Sequence, residues 1–271
     1  MGHPFGVQPE HVAHLIGDDP GAVRNAGLGR LSRLSDEAVL NILGFLPAGD
    51  LATLAAASKA LYCFANHEEL WKALTLEHLA GRWSYRGSWR ETYVTATAPG
   101  SPRPAPRHPL QVQHFYSDLL HQPWLCATLE IDPAWLEIDN VERRSGLGVA
   151  EFRERYEVPN RPVILTDVVA AWPASRKWDR AYLSRAFSGR SVLVGDAPMA
   201  FDEYCRYADA QRDELPLYLF DKHFAGSCPA LAGDYAVPPH FSEDLFSVLG
   251  EAARPDYRWL IAGPPKSGST W

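Results

Sequence analysis

The sequence predicts an α+β protein in which a helical N-terminal module precedes a longer region that mixes short strands with helices. Residues 34–80 repeat apolar side chains at helical spacing, whereas residues 110–271 contain short β-type runs with helical stretches between them. A proline-rich segment separates the two regions. A length of 271 residues is enough for two such units.

The composition is that of a folded protein without a general affinity for nucleic acid. Hydrophobic residues make up 46% of the chain and charged residues 22%, which is ordinary for a globular protein. The net charge of −7 opposes non-specific binding to phosphate backbones. The four cysteines form no closely spaced pair, so we expect thiols in a reducing compartment and no disulfide framework. They are Cys63, Cys126, Cys205 and Cys228.

The sequence predicts neither membrane insertion nor secretion. No uninterrupted apolar stretch approaches the roughly 20 residues of a membrane span. The N-terminus has no basic start followed by an apolar run, as a signal peptide would. We therefore expect a nuclear or cytoplasmic protein with no membrane partner.

The first 30 residues are rich in Gly, His and Asp and lack clear periodicity, so 1–30 is predicted to be a loose lead-in. The next segment begins with a helix that carries an apolar stripe at i, i+3, i+4 and i+7. The stripe consists of Val39, Ile42, Leu43 and Leu46. Closely spaced short helices, each apolar on one side, predict a compact bundle.

Polar residues and prolines predict where these helices start and stop. Ser35 is a candidate N-cap for the first helix, and Pro47 ends it. Asp50 is a candidate cap for the second helix. Asn66, followed by Glu69, resembles a capping arrangement for a further helix.

Residues 95–109 are predicted to be a linker or surface connection, which leaves 31–94 as the helical module and 110–271 as the second unit. Five prolines in this segment remove backbone donors and restrict φ. They are Pro99, Pro102, Pro104, Pro106 and Pro109.

The second unit contains β-type runs separated by long connections and not by hairpin turns. The runs cover residues 161–166, 217–220 and 257–261. Helical stretches are predicted near residues 148–157, 179–187 and 200–209.

The segment Leu34-Ser-Asp-Glu-Ala-Val-Leu-Asn-Ile-Leu-Gly-Phe-Leu-Pro-Ala-Gly-Asp-Leu51, with Ser58 and Leu70-Trp71 after it, resembles the F-box. Ser35 stands where the family has proline. The resemblance implies docking to the adaptor subunit of an SCF ubiquitin ligase, which links the F-box protein to a cullin. The candidate contacts are Leu34, Ile42, Leu43 and Leu46. The alternative is a stripe that serves only as the core of the bundle.

Three passages further on resemble the Jumonji-C oxygenases, in the phosphatidylserine-receptor-like branch of arginine demethylases and lysyl hydroxylases. They are Arg161-Pro-Val-Ile-Leu-Thr-Asp-Val-Val-Ala-Ala-Trp-Pro-Ala174, Arg212-Asp-Glu-Leu-Pro-Leu-Tyr-Leu-Phe-Asp221 and Arg254-Pro-Asp-Tyr-Arg-Trp-Leu-Ile-Ala-Gly-Pro-Pro-Lys-Ser-Gly268. The resemblance implies the N-terminal half of a double-stranded β-helix, or jelly roll, with flanking helices. It also implies Fe(II), 2-oxoglutarate and a protein substrate.

The resemblance further implies that the family's iron ligands would follow Trp271, so we assign no catalytic and no metal-ligating residue. Neither Fe(II) nor 2-oxoglutarate is expected to bind well to this chain. Two positions match family residues near the cosubstrate, Tyr218 and Ser269. Tyr218 equally suits a strand aromatic whose hydroxyl reaches the surface.

Two alternative sites are present in the sequence. His67-Glu68-Glu69 has the spacing of a His-x-acid pair, although it opens a helix of the bundle. Pro264-Pro-Lys-Ser-Gly-Ser-Thr-Trp271 resembles the phosphosulfate loop of sulfotransferases, but no helix follows it.

The expected function is therefore that of an F-box protein with a partial Jumonji-C domain. The complete relative would hydroxylate or demethylate protein side chains, histones among them. The alternative is a non-catalytic substrate adaptor of an SCF ubiquitin ligase.

Overall fold

A computed structural model describes residues 2–98, 109–130, 132–256 and 258–264. The helices are α1 Glu10–Ile16, α2 Ala22–Leu28, α3 Asp36–Leu43, α4 Ala48–Ala55, α5 Lys59–Ala65, α6 Glu68–Leu79, α7 Trp89–Thr97, α8 Asp118–Thr128, α9 Val149–Phe152, α10 Ala174–Lys177, α11 Arg180–Ala186, α12 Phe201–Ala210, α13 Phe224–Ser227, α14 Pro229–Ala232 and α15 Gly250–Ala253. The strands are β1 Arg143–Arg144, β2 Ile164–Leu165, β3 Ser191–Val194, β4 Ala197–Ala200, β5 Leu219–Asp221 and β6 Leu260–Ala262. The predicted α+β class is confirmed.

The predicted helical bundle is present as α3 to α6, with one cap confirmed and two wrong. Ser35 caps α3, because its hydroxyl oxygen accepts a hydrogen bond from the Ala38 N–H at 3.2 Å. Asp50 lies inside the first turn of α4, after the N-cap Pro47. Asn66 donates its side-chain N–H back to Tyr62 O of the preceding helix, at 2.8 Å. The side chain of an Asn or Asp near a helix start can hydrogen-bond to the backbone of the preceding helix or of the following one. The spacing of Asn66 in the sequence therefore did not determine its hydrogen-bond partner.

The expectation of a loose lead-in at residues 1–30 is wrong, because α1 and α2 lie there. Val7, Ala13 and Leu28 are buried in the core. The Gln8 N–H also donates to Phe115 O at 3.1 Å, which ties the N-terminus to a segment far along the chain. Isolated apolar residues at irregular intervals give no periodic pattern, so the sequence did not reveal these contacts.

Four strands form an antiparallel sheet in the order β4-β3-β5-β6, and β1 pairs with β2 in parallel. The predicted runs at 161–166, 217–220 and 257–261 each contribute a strand. The expectation of no hairpins is wrong, because β3 and β4 are joined by the two-residue turn Gly195-Asp196. Both turn residues have positive φ, 52° and 64°, as a tight primed hairpin turn requires.

The predicted helices of the second unit are confirmed. The stretch at 148–157 forms α9, which continues as a π-helical turn over Arg153–Glu157, and the other two form α11 and α12. The proposed linker begins inside a helix, since α7 extends to Thr97; residues 99–108 lie outside the described residues. The boundaries 31–94, 95–109 and 110–271 stay predictions.

One hydrophobic core runs from the N-terminal helices into the four-stranded sheet. It includes Leu43 and Trp71 of the bundle together with Val192 and Leu219 of the sheet. The helical module therefore packs against the second unit. Across the part of the chain that the structure describes, no helix has both the length and the hydropathy needed to cross a membrane.

Candidate functional site

The predicted docking residues lie around α3, whose position is fixed by polar contacts at its first turn. Arg24 Nε donates to Asp36 Oδ1 at 2.6 Å, and both side chains are only 14% exposed. The same guanidinium donates to Leu34 O at 2.5 Å. A partly buried, charge-assisted contact of this kind holds the chain in one geometry. The start of α3 is therefore fixed against α2.

Of the four predicted contact residues, three reach the surface and one does not. Ile42 is 43% exposed, and Leu34 and Leu46 are half-buried. Leu43 is 2% exposed and belongs to the core, so it offers no surface to a partner. Phe45, which the sequence analysis missed, is 89% exposed. We call Leu34, Ile42, Phe45 and Leu46 the docking patch.

A second cluster joins the bundle to the segment that precedes β5. Lys72 on α6 is 6% exposed, and its Nζ donates to Leu215 O at 2.6 Å. The same ammonium lies 3.5 Å from Asp213 Oδ2. A buried ammonium is stable only when it is paired and hydrogen-bonded, and both conditions are met here.

The Asp213 carboxylate is also satisfied from the other side. Its side chain is 4% exposed and accepts hydrogen bonds from Trp89 Nε1 at 2.9 Å and from the Tyr207 hydroxyl at 2.7 Å. The Tyr207 hydroxyl in turn accepts from the Leu217 N–H at 2.8 Å. Burial and the Asp213 charge hold the pKa of Tyr207 well above its usual value. We call Lys72, Trp89, Tyr207 and Asp213 the Lys72 junction.

Aromatic packing and one glycine bring the two parts of the chain together around this junction. Trp83 and Trp89 meet edge to face with centroids 5.0 Å apart, and Tyr85 meets Tyr207 at 5.3 Å. Such edge-to-face pairs add to the stabilisation from burial. At Gly81, with φ of 80°, a Cβ atom would lie 2.0 Å from Pro198 O on β4. Only glycine allows this approach.

The start of α6 carries two titratable groups with shifted pKa values. Burial raises the pKa of Glu68 to about 7, and the Glu68 Oε2 atom accepts the Trp89 N–H at 2.5 Å. Burial also lowers the pKa of His67 to about 4. Within the described ranges, no three His, Cys, Asp or Glu side chains gather into a metal-binding group. Among the described residues, therefore, no third side chain completes a metal site with the His67-Glu68-Glu69 segment.

Tyr218 immediately precedes β5 and follows Leu217, the last residue tied to the Lys72 junction. Its side chain is half-buried, and its carbonyl accepts the Gly195 N–H at 3.3 Å. Ser269 lies outside the described residues, as does the sulfotransferase-like segment from residue 265 onward. The structure thus places Tyr218 next to the hydrogen-bonded Lys72 junction, and its predicted role stays a prediction.

Comparisons with known proteins agree with the sequence motifs. An F-box-like family model matches residues 31–77. The chain is 48% identical to the arginine-specific demethylase JMJ22 of Arabidopsis thaliana over 268 residues, covering 97% of this chain and 53% of that protein. It is 35% identical to the lysine-specific demethylase JMJ21 of Arabidopsis thaliana over 253 residues, covering 92% and 27%. It is also 35% identical to the bifunctional arginine demethylase and lysyl-hydroxylase psr-1 of Caenorhabditis elegans over 141 residues, covering 48% and 35%.

The chain carries an F-box-like domain and is homologous to Jumonji-C demethylases. The resemblance stated from the motifs is thereby confirmed. The chain spans about half the length of JMJ22 and less of the other two relatives.

The homology indicates which two parts of the chain the Lys72 junction connects. Lys72 lies within the F-box-like segment of residues 31–77, whereas Asp213 and Leu217 lie in the passage 212–221 that resembles the Jumonji-C oxygenases. The F-box helix and the stretch before Tyr218 are therefore joined by buried ionic and hydrogen-bonded contacts. The homologues imply a family that depends on Fe(II) and 2-oxoglutarate, and an F-box implies an adaptor-type partner.

Proposed function

We propose that the protein docks to the adaptor subunit of an SCF ubiquitin ligase through the docking patch. The observation that carries this proposal is the exposure of Phe45, 89%, beside Ile42, 43%. Isolated apolar residues on a surface are ordinary, but adjacent ones on an F-box-like segment match helix docking onto an apolar partner surface. The cullin would join through that adaptor.

The docking proposal predicts a specific loss of affinity. Phe45→Asp and Ile42→Asp each place a charge in the contact and weaken adaptor binding by tenfold or more, that is, by at least about 1.4 kcal/mol. Leu15→Asp is the matched control, because Leu15 is 79% exposed and lies on α1, outside the docking patch. The assay is a binding titration of the intact 271-residue chain with purified adaptor. Unchanged affinity in both patch variants would refute the proposal.

We further propose that the full-length protein hydroxylates or demethylates protein side chains with Fe(II) and 2-oxoglutarate. The relatives support this, since their names record arginine demethylation and lysyl hydroxylation. When bound, the iron and cosubstrate supply the oxidant for attack on a C–H bond. No described residue is assigned to iron here. Tyr218 is the proposed contact to the 2-oxoglutarate carboxylate.

The catalytic proposal is tested on the full-length gene product with methylated arginine peptides from histone tails. Succinate and formaldehyde form together if a methyl group is removed. Tyr218→Phe raises the KM for 2-oxoglutarate more than it lowers kcat, because it removes a hydroxyl that binds cosubstrate. An absence of succinate with every peptide, alongside intact adaptor binding, would favour the non-catalytic adaptor alternative.

A further inference from the structure

A cleft of about 460 Å³ lies between the segment that precedes α10 and the segment that follows α14. Its volume is within the range of roughly 300–1,000 Å³ that is usual for ligand pockets. Neither the docking patch nor the Lys72 junction contributes to its described lining. That lining is mostly apolar and includes Asp167, Trp172, Pro173, Tyr235, Pro238 and His240. We call it the Trp172 cleft.

The two walls of the cleft are joined through Asp234, whose side chain is 4% exposed. Its carboxylate accepts hydrogen bonds from Lys177 Nζ at 2.7 Å, from Trp178 Nε1 at 3.0 Å and from the Tyr182 hydroxyl at 2.9 Å. Its carbonyl oxygen accepts the Ala174 N–H at 2.9 Å. Polar groups paired in this way hold their segments in one geometry, so the cleft is formed before a ligand enters it.

Two aromatic rings form an angled pair in the lining. The ring centroids of Trp172 and Tyr235 are 6.0 Å apart, and the ring planes are inclined at 59°. Both side chains are half-buried, so both keep exposed surface. Phe224, which is buried, lies 6.4 Å from the Tyr235 ring and supports it from the core. The face of an aromatic ring carries partial negative charge and attracts a cation.

The lining also carries a full negative charge. Among the described residues that line the cleft, Asp167 is the only carboxylate, and none is lysine or arginine. Asp167 Oδ2 accepts the Gly146 N–H at 2.6 Å. This hydrogen bond, with others from the backbone N–H of Asp167 and from the Ser145 side chain, lowers the Asp167 pKa. The carboxylate is therefore ionised at neutral pH, and the cleft suits a cation.

The hydrogen bonds that Asp167 already accepts favour one class of cation. A carboxylate has few acceptor positions, and Gly146, Ser145 and the backbone of Asp167 itself occupy most of them. The other ionisable ring of the lining is engaged too, since His240 Nε2 lies 2.6 Å from Leu147 O. An ammonium or guanidinium group brings several N–H donors, which are costly to leave unpaired in an apolar cleft. A quaternary ammonium has no N–H and needs only charge and rings.

We propose that the Trp172 cleft binds the quaternary ammonium group of a trimethyl-lysine side chain in a peptide. The methyl groups lie against Trp172 and Tyr235, and Asp167 supplies the opposite charge. The choice of a peptide as the source of this group rests on the proposed function, in which the substrate is a protein. Binding in the cleft uses neither iron nor 2-oxoglutarate, so it is measured separately from oxygenase activity.

The test is calorimetric titration of the intact chain with three peptides of one sequence. They carry trimethyl-lysine, unmodified lysine or dimethylarginine at the same position. The trimethyl-lysine peptide should bind at least tenfold more tightly than either of the others. Vesicles of phosphatidylcholine, which present a quaternary ammonium on a lipid, are the fourth probe. Tighter binding of the vesicles than of the trimethyl-lysine peptide would overturn the peptide assignment.

Asp167→Asn tests the contribution of the charge. The variant keeps a side-chain oxygen that accepts the Gly146 N–H, and it should weaken trimethyl-lysine binding by about fivefold or more. Asp19→Asn is the matched control, because Asp19 is also exposed and also accepts a backbone N–H, from Gly21 at 2.9 Å. The control should bind the peptide as the wild type does. Equal losses of affinity in the two variants would overturn the inference.

Nuclear magnetic resonance of the bound peptide tests the contact with the rings. The N-methyl proton resonance should move upfield on binding, because the methyl groups lie over aromatic faces. Trp172→Leu should remove most of that shift, with thermal unfolding as the check that the variant is folded. Equal affinity for the three peptides, no upfield shift, or a full shift in folded Trp172→Leu would overturn the inference. Succinate formation by the full-length protein in that case would show that the proposed function stands without it.

Discussion

Replacing Lys72 with methionine tests the junction between the F-box helix and the oxygenase-related segment. The variant keeps a side chain of similar length but removes the charge that pairs with Asp213 and the hydrogen bond to Leu215 O. Asp213, 4% exposed, then stays buried, and among the described residues its carboxylate keeps Trp89 Nε1 and the Tyr207 hydroxyl as partners. Removing one partner of a buried ion pair typically costs about 3–5 kcal/mol.

Some of that loss is regained, because methionine packs well against aromatic rings. We therefore expect the free energy of unfolding to fall by about 3 kcal/mol. For a chain of this length the melting temperature then falls by roughly 6–12 °C. Lys59→Met is the matched control, since Lys59 is exposed at the start of α5, and it should change the free energy by less than about 0.5 kcal/mol.

Denaturant unfolding measures the loss of stability of the whole chain, and hydrogen exchange measures it at individual backbone amides. In Lys72→Met the backbone amides near Leu217 should exchange faster, because the Tyr207 hydroxyl that accepts the Leu217 N–H loses part of its own support. The double variant Lys72→Met with Asp213→Asn should recover part of the stability, since it removes both charges and keeps an amide oxygen that accepts from Trp89 Nε1 and the Tyr207 hydroxyl. A loss below about 1 kcal/mol in Lys72→Met, or no recovery in the double variant, would refute the reasoning.

Two further predictions concern the same region. In thermal unfolding, Gly81→Ala should destabilise the protein by at least about 2 kcal/mol more than Gly87→Ala. Both positions have positive φ, but of the two only a Cβ at Gly81 would meet Pro198 O. Equal losses of stability in the two variants would contradict this prediction. Glu68, with a pKa of about 7, keeps its proton in the folded state between roughly pH 4.5 and 7 while the unfolded chain has lost it. Its contribution to stability is therefore present at low pH and is lost as the pH rises through that window, with a slope of at most about 1.4 kcal/mol per pH unit. His67 titrates with the opposite sign, so the slope is taken from the difference between the wild type and Glu68→Gln. A difference that does not vary with pH would contradict the assignment.

The sequence predicted those features that depend on local pattern. The apolar stripe of α3, the Ser35 cap and the helices over 180–186 and 201–210 follow from spacing and capping chemistry. Motif order was enough to recognise both homologies. Phe45 was missed because it falls outside the helical stripe, and only the fold shows that it is exposed while Leu43 is buried.

Features set by contacts between distant residues could not be predicted in the same way. Lys72 occupies an ordinary position on a helix, and its carbonyl partner Leu215 lies 143 residues further along the chain. The indole N–H of Trp83, which has no acceptor among the described residues, likewise becomes apparent only after burial and hydrogen bonding are known. The β3–β4 hairpin is different, because Gly195-Asp196 between two apolar runs is a local turn pattern that was available in the sequence.

Hydrogen exchange of the intact chain, with and without a saturating amount of the SCF adaptor subunit, tests the account most directly. Slower exchange should appear over residues 34–46, where the docking patch lies, while amides around Asp213 and Leu217 keep the rates they have in the free chain. Protection confined to other segments, with residues 34–46 exchanging as before, would contradict the claim that this helix face carries the F-box function.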